Sequence, residues 1–148
     1  MADDALLYQI ECMTVTFLEA LALGRLMGVS AAARACGIGP ASDDGGRRKR
    51  ARDELEEDTQ LDTSPEAAER RIRRTAAEWE AVSLAHQLLR TGRTCTIRDL
   101  YYCGAGKSFR GPEDANRALR SVCNALGMNR HRLGFHASVS ATAPASGR

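Results

Sequence analysis

The sequence is poor in aromatic residues. One Trp, three Tyr and three Phe are spread over 148 residues, so a core must be built mostly from aliphatic side chains and alanine. The five cysteines, Cys12, Cys36, Cys95, Cys103 and Cys123, include no C-x-x-C pair, and His86, His131 and His136 do not cluster with them. That spacing argues against metal-ligand motifs, and the odd count reads as reduced thiols in an intracellular protein. Asp3 and Asp4 stand where a secretory signal would carry basic residues, so no signal peptide is expected. Glu11 and Glu19 interrupt the best apolar run, so no membrane partner is expected.

The net charge of +2 averages two unlike regions. Residues 1–89 carry 11 Lys+Arg against 16 Asp+Glu, and residues 90–148 carry 10 against 3. A basic C-terminal region points to a polyanionic partner. A solvated basic surface would look the same, so motifs must decide.

The segment "ALLYQIECMTVTFLEALALGRL" repeats apolar residues at helical spacing: Leu6, Ile10, Met13, Phe17 and Leu21. It predicts an amphipathic helix within an N-terminal helical segment, residues 1–36. Residues 37–63 have no periodicity and few apolar residues, and a basic block precedes an acidic one. They read as a disordered charged linker. Its "RRKRAR", Arg47 to Arg52, matches a nuclear-import signal, although a solvated charge run has the same composition.

Order is expected again from Ser64. Ser64 fits an N-cap and Pro65 the first helical position, and Gly92 can end the helix. Its predicted inner stripe is Ile72, Ala76, Trp79, Val82, Ala85 and Leu89. Thr96 and Asp99 are spaced as a capping box for a short second helix. Ile97, Leu100 and Tyr101 share one face of it, while Arg98 and Tyr102 share another. A third helix runs from Pro112 to Gly127, with Ala115, Ala118, Leu119, Val122 and Leu126 inward. Asn116, Arg117, Arg120, Ser121 and Asn124 are expected outward. Leu133, Phe135, Ala137 and Val139 alternate as in a strand, and residues 142–148 read as a disordered tail.

Three helices followed by a strand, with an Asn- and Arg-rich face on the third helix, is the order of a winged helix-turn-helix. The fold expected is mainly α with a small β wing, CAP-like, over residues 64–141, plus the N-terminal amphipathic helix. In such domains the third helix enters the major groove of double-stranded DNA. Candidate DNA contacts are Asn116, Arg117, Arg120 and Asn124 on that helix, with Lys107, Arg110, Arg130 and Arg132 flanking it.

Residues 104–108, "GAGKS", resemble the end of a phosphate-binding loop. The full pattern needs a glycine five residues before Gly106, where Tyr101 stands, and a strand before the loop, where a helix is predicted. A glycine-rich turn is expected instead.

"TIRDLYY", followed by Phe109 and by "EDANRALRSVCNALGMNRHRL", resembles the N-terminal domain of the meiotic double-strand-break (Spo-eleven) family, relatives of the A subunit of topoisomerase VI. The family hallmark is an arginine, an acid, an apolar residue, an aromatic and the nucleophilic tyrosine. Arg98, Asp99, Leu100, Tyr101 and Tyr102 stand in that order. "NRHRLGFHAS" is similar to the stretch entering the family's wing, and "LLYQIECMTVTFLEALALGR" to its leading helix.

The resemblance implies Tyr102 as nucleophile, Arg98 as its catalytic helper and Tyr101 as a packed neighbour. The implied activity is that of a type IIB topoisomerase-like isomerase: a DNA transesterase forming 5′-phosphotyrosyl links and double-strand breaks to initiate meiotic recombination in the nucleus. It implies a homodimer or an assembly with a topoisomerase VI B-like subunit. It also implies Mg²⁺ for the full-length family member, held by acidic residues of a second, Toprim domain. Only 16 residues follow Arg132, none of them acidic, so this chain is expected to carry the nucleophile half alone, without its own metal or cofactor. A fragment, a truncated form or an erroneous gene model would each look so, and cleavage by this chain alone is not expected. The alternative is a non-catalytic winged-helix DNA-binding or adaptor protein in which Tyr102 merely packs.

Overall fold

The computed structural model describes residues 2–39, 64–104 and 106–137. Five α-helices are formed there: α1 (Ala2–Ala22), α2 (Val29–Ala35), α3 (Pro65–Thr91), α4 (Ile97–Gly104) and α5 (Pro112–Leu126). A 3-10 turn, Arg130–Leu133, follows α5. Two short strands, β1 (Cys95–Thr96) and β2 (Phe135–His136), pair in parallel, Cys95 with Phe135 and Thr96 with His136. The molecule is thus mostly helical with one small sheet, which agrees at that level with the fold expected from the sequence. The expected linker beyond residue 39 and the tail lie outside the described residues.

The ends of the long helix follow from side-chain chemistry. Ser64 Oγ accepts the Ala67 N–H at 3.2 Å, Pro65 opens α3, and Gly92 closes it in the left-handed conformation. That is the expected N-cap, N1 proline and C-terminal glycine. The thread of α3 differs by one position from the predicted stripe. Ile72 is 57 % exposed and Ala76 is exposed, whereas Ala77, Glu78, Ala81, Val82, Ala85 and Leu88 face inward. Small alanines let the helix approach α5, its most extensive partner. The largest apolar residues were therefore a poor guide to the buried face. Trp79 and Leu89 pack at its margin.

α1 buries Leu6, Ile10 and Met13 as expected, with Ala20 rather than Leu21 continuing the stripe. Phe17 stacks on Trp79 at 4.2 Å between ring centroids, and the Trp79 indole N–H donates to the Met27 carbonyl at 3.0 Å. α1 is the one helix among the described residues long and apolar enough to cross a membrane by length and composition. Here its inner face joins the same core cluster as α3 and α5. Tyr8, Val15, Leu18 and Leu21 remain exposed on it.

α2, which the sequence reading did not resolve within the N-terminal segment, is held by a carboxylate from another helix. Glu78 is only 6 % exposed. Its Oε2 accepts the Val29 N–H at 3.2 Å, its Oε1 accepts the Ser121 hydroxyl at 2.8 Å, and Arg74 lies 3.8 Å away. One buried charge therefore joins α2, α3 and α5. Ser121, expected to face outward, is turned to this carboxylate because a buried acid needs donors.

The last expected strand is also shorter at its start. Leu133 belongs to the 3-10 turn, and the strand begins at Phe135. Leu133 and Phe135 are both fully buried, whereas Ala137 is exposed. Gly134 between them adopts φ +85°, and an added Cβ there would lie 3.1 Å from Leu88 Cβ and 3.2 Å from the Arg93 carbonyl oxygen. The tight crossing over α3 interrupts the simple alternation.

Candidate functional site

The short helix α4 is fixed at both ends. At its start, Asp99 Oδ2 accepts both the Thr96 backbone N–H and the Thr96 hydroxyl at 2.8 Å, and Thr96 Oγ1 accepts the Asp99 N–H at 3.2 Å. This is the reciprocal cap expected from the spacing. The two hydrogen bonds from Thr96 hold the Asp99 carboxyl below the usual carboxylate range. Behind it, the Cys95 thiol is pushed up to about 11, first by burial and then by the Asp99 charge, so it is protonated at neutral pH. In its middle, Leu100 is fully buried, and Ile97 and Tyr101 pack against the core.

At the other end the chain turns sharply. The N–H groups of Lys107, Ser108 and Phe109 all converge on the Gly104 carbonyl, at 3.1, 3.0 and 3.2 Å. Donors turned inward in this way are not presented to a bound phosphate, which removes the basis for a nucleotide-binding loop. Phe109 is buried against Gly104.

With its inner face anchored, α4 presents the opposite face outward. Tyr102 is 64 % exposed, and its ring lies 5.4 Å from that of Tyr101 at 49°. Arg98, one turn earlier, is exposed. Arg98 and Tyr102 line a single surface cavity of about 360 Å³ together with Ile97, Tyr101, Pro112, Asn116 and Ala137. Asn116 was predicted as a DNA contact; the structure brings it from α5 into the tyrosine's cavity. Its spacing from α4 gave no sign of this, because it depends on how α4 packs against α5.

The remaining candidates divide into separate groups. Arg117, Arg120 and Asn124 are exposed along α5 at helical spacing. Arg117 also pairs with Asp114 at 3.4 Å. Lys107 and Arg110 are exposed in the turn before α5, and the Arg110 N–H donates to Asp114 Oδ2 at 3.0 Å. Arg130 and Arg132 are exposed on the 3-10 turn. None of these cations lines the cavity that holds Tyr102. Among the described residues, no group of three or more His, Cys, Asp or Glu side chains is placed to hold a metal ion. The described residues do not by themselves fit a Mg²⁺ ion.

No curated protein and no solved structure matches this chain. Residues 73–135 match the family model described as type IIB DNA topoisomerase. The match runs from within α3 through the first residue of β2 and contains every candidate DNA-contact residue and the lining of the tyrosine cavity except Ala137, while α1 and α2 lie outside it. Over that stretch the chain is similar to type IIB DNA topoisomerases.

Proposed function

We propose that this chain is the tyrosine-bearing DNA-binding module of a DNA-cleaving transesterase of the topoisomerase VI A-like kind, and that its fold works as a winged helix. The observation that carries the reading is the shared cavity: an exposed tyrosine one turn from an arginine, on a helix locked by its cap and its buried inner face. The topoisomerase relation supports DNA binding and oligomeric assembly in general.

In the proposed reaction the Tyr102 phenolic oxygen attacks a backbone phosphorus. A P–O bond to tyrosine forms, the P–O3′ bond breaks, and the 3′ oxygen leaves and takes up a proton as the phenol gives one up. The product is a 5′-phosphotyrosyl link with a free 3′-hydroxyl, so bond energy is retained and the step reverses without ATP. A phenol has an ordinary pKa near 10 and needs help at neutral pH. Arg98 supplies a fixed positive charge beside the phosphate oxygens as charge gathers there. Asn116 is placed to donate to the same phosphate. Tyr101 holds the helix in place. No step is routed through Mg²⁺, whose ligands this reading assigns to a domain or polypeptide other than the residues described.

In this reading Arg117, Arg120 and Asn124 lie in the major groove, with Lys107, Arg110, Arg130 and Arg132 on flanking phosphates. Two protomers, each cutting one strand, make the double-strand break. A homodimer or a topoisomerase VI B-like partner brings them together, and the exposed apolar residues of α1 support such an assembly. The "RRKRAR" block supports a nuclear setting.

The test joins the full chain to a Mg²⁺-binding Toprim domain and traps protein on DNA with denaturant. A 5′-linked adduct with the unaltered tyrosines, lost on Arg98→Ala, is the expected result. A folded graft that binds DNA and Mg²⁺ but never forms the adduct favours the non-catalytic adaptor.

A further inference from the structure

Beside the small sheet, two histidines meet. His131 lies in the 3-10 turn and His136 in β2, five residues apart. Their Nδ1 atoms are 3.3 Å from each other, with the rings tilted at 50° and their centroids 5.4 Å apart. Both side chains are exposed.

The separation is informative. Two imidazole nitrogens bound to one tetrahedral ion, each about 2.0–2.1 Å from it, are held roughly 3.3–3.4 Å apart. That is the spacing found here. The same contact is an N–H···N hydrogen bond in the metal-free protein, which a bound ion would replace. The backbone carrying the pair is fixed. Leu133 and Phe135, between the two histidines, are fully buried. The Gly134 N–H donates to the His131 carbonyl at 3.1 Å, and the Gly134 carbonyl accepts the Cys95 N–H at 2.9 Å. Little ordering is then required when an ion arrives, which is the condition for a chelate stronger than two independent imidazoles.

We propose that His131 and His136 form a bidentate site for a borderline divalent transition metal ion, Zn²⁺, Cu²⁺ or Ni²⁺ in chemical class. Imidazole donors suit these ions and not Mg²⁺. No group of three ligating side chains occurs among the described residues, so the remaining positions are filled by water or by an anionic oxygen. Arg130 and Arg132 flank the site in sequence and are exposed. A bound ion would pin the 3-10 turn to β2. This inference is independent of the role assigned to Tyr102.

The measurement is titration of the full chain with Ni²⁺ and with Zn²⁺, followed by heat and by the imidazole resonances. The variants are His131→Ala, His136→Ala, the double variant, and His86→Ala as control. Every protein carries Cys103→Ser, because Cys103 is an exposed thiol that competes for these metals. One-to-one binding is expected, weakened about 10²-fold or more by either histidine change, with the double variant at least as weak as either single one. His86→Ala should leave it unchanged. Both histidines are exposed, so the variants should keep the parent's circular dichroism and Tm in the absence of metal. Equal binding by the parent and both single variants overturns the proposal. So does a Co²⁺ spectrum with a thiolate charge-transfer band that survives loss of both histidines, since the ion then sits on cysteine.

Discussion

Phe109 lies so close to Gly104 that a Cβ on the glycine would stand 2.4 Å from Phe109 Cε2 and 2.5 Å from Cδ2. The contact fixes where α4 ends and where the chain leaves toward α5, and therefore how Tyr102 faces Asn116. Gly104→Ala should cost about 1–3 kcal/mol in denaturant unfolding, as overpacking does in a filled site. A change below about 0.5 kcal/mol would show that Phe109 moves aside freely.

The Glu78 carboxylate should be a structural joint. Glu78→Ala leaves the Ser121 hydroxyl and the Val29 N–H without their acceptor, at about 1–3 kcal/mol for each group left buried and unpaired. Glu78→Gln keeps one acceptor oxygen and should lose less. Amide exchange should show the loss first at Val29 and through α2. Equal stability of the alanine and glutamine variants would contradict the hydrogen-bonded account.

The cap of α4 carries a pH dependence of known sign. The folded-state pKa of Asp99 is depressed by its two bonds from Thr96. Its contribution is therefore present above the unfolded value, about 3.9, and fades as pH falls through the lower folded value. Asp99→Asn should lower Tm at pH 7, and the gap to the parent should close as pH drops below about 4. A gap that stays constant down to pH 2 would mean that the charge of Asp99 has no part in it.

Much of this was legible in the sequence where one strong local rule acted alone. The Thr96–Asp99 cap, the Ser64 and Pro65 start, the Gly92 and Gly127 ends, and the inner face of α5 all follow from spacing within one element. What was not legible depended on partners distant in the chain. Ile72 and Ala76 face out because α3 meets α5 through smaller residues. Ser121 turns inward because Glu78, 43 residues earlier, is buried opposite it. Cys95 pairs with Phe135 across 40 residues, a contact no local pattern announces. In the site, the exposed face of Arg98 and Tyr102 was readable from helical spacing, whereas the arrival of Asn116 beside them was not.

DNA affinity should be largely electrostatic. With about four to six phosphate contacts, the slope of log K against log salt should be roughly −4 to −5. Replacing Arg117 and Arg120 together by alanine should flatten it by about 2. Arg120→Ala should cost more than Arg117→Ala, because Arg117 already pairs with Asp114. An unchanged slope in the double variant would remove α5 from the DNA-facing surface.

The most direct test of the central claim is to find which atom carries the DNA. Trypsin cuts after Arg98 and Lys107, so the peptide from Asp99 to Lys107 holds both Tyr101 and Tyr102. The trapped adduct of the Toprim-joined protein is digested with nuclease and then with trypsin, and that peptide is fragmented in a mass spectrometer. The account predicts a 5′-linked nucleotide on Tyr102, none on Tyr101, and no modified peptide from Tyr102→Phe, whose DNA affinity stays within about 0.5 kcal/mol of the parent. A nucleotide on Tyr101, or an adduct that survives Tyr102→Phe, would contradict it.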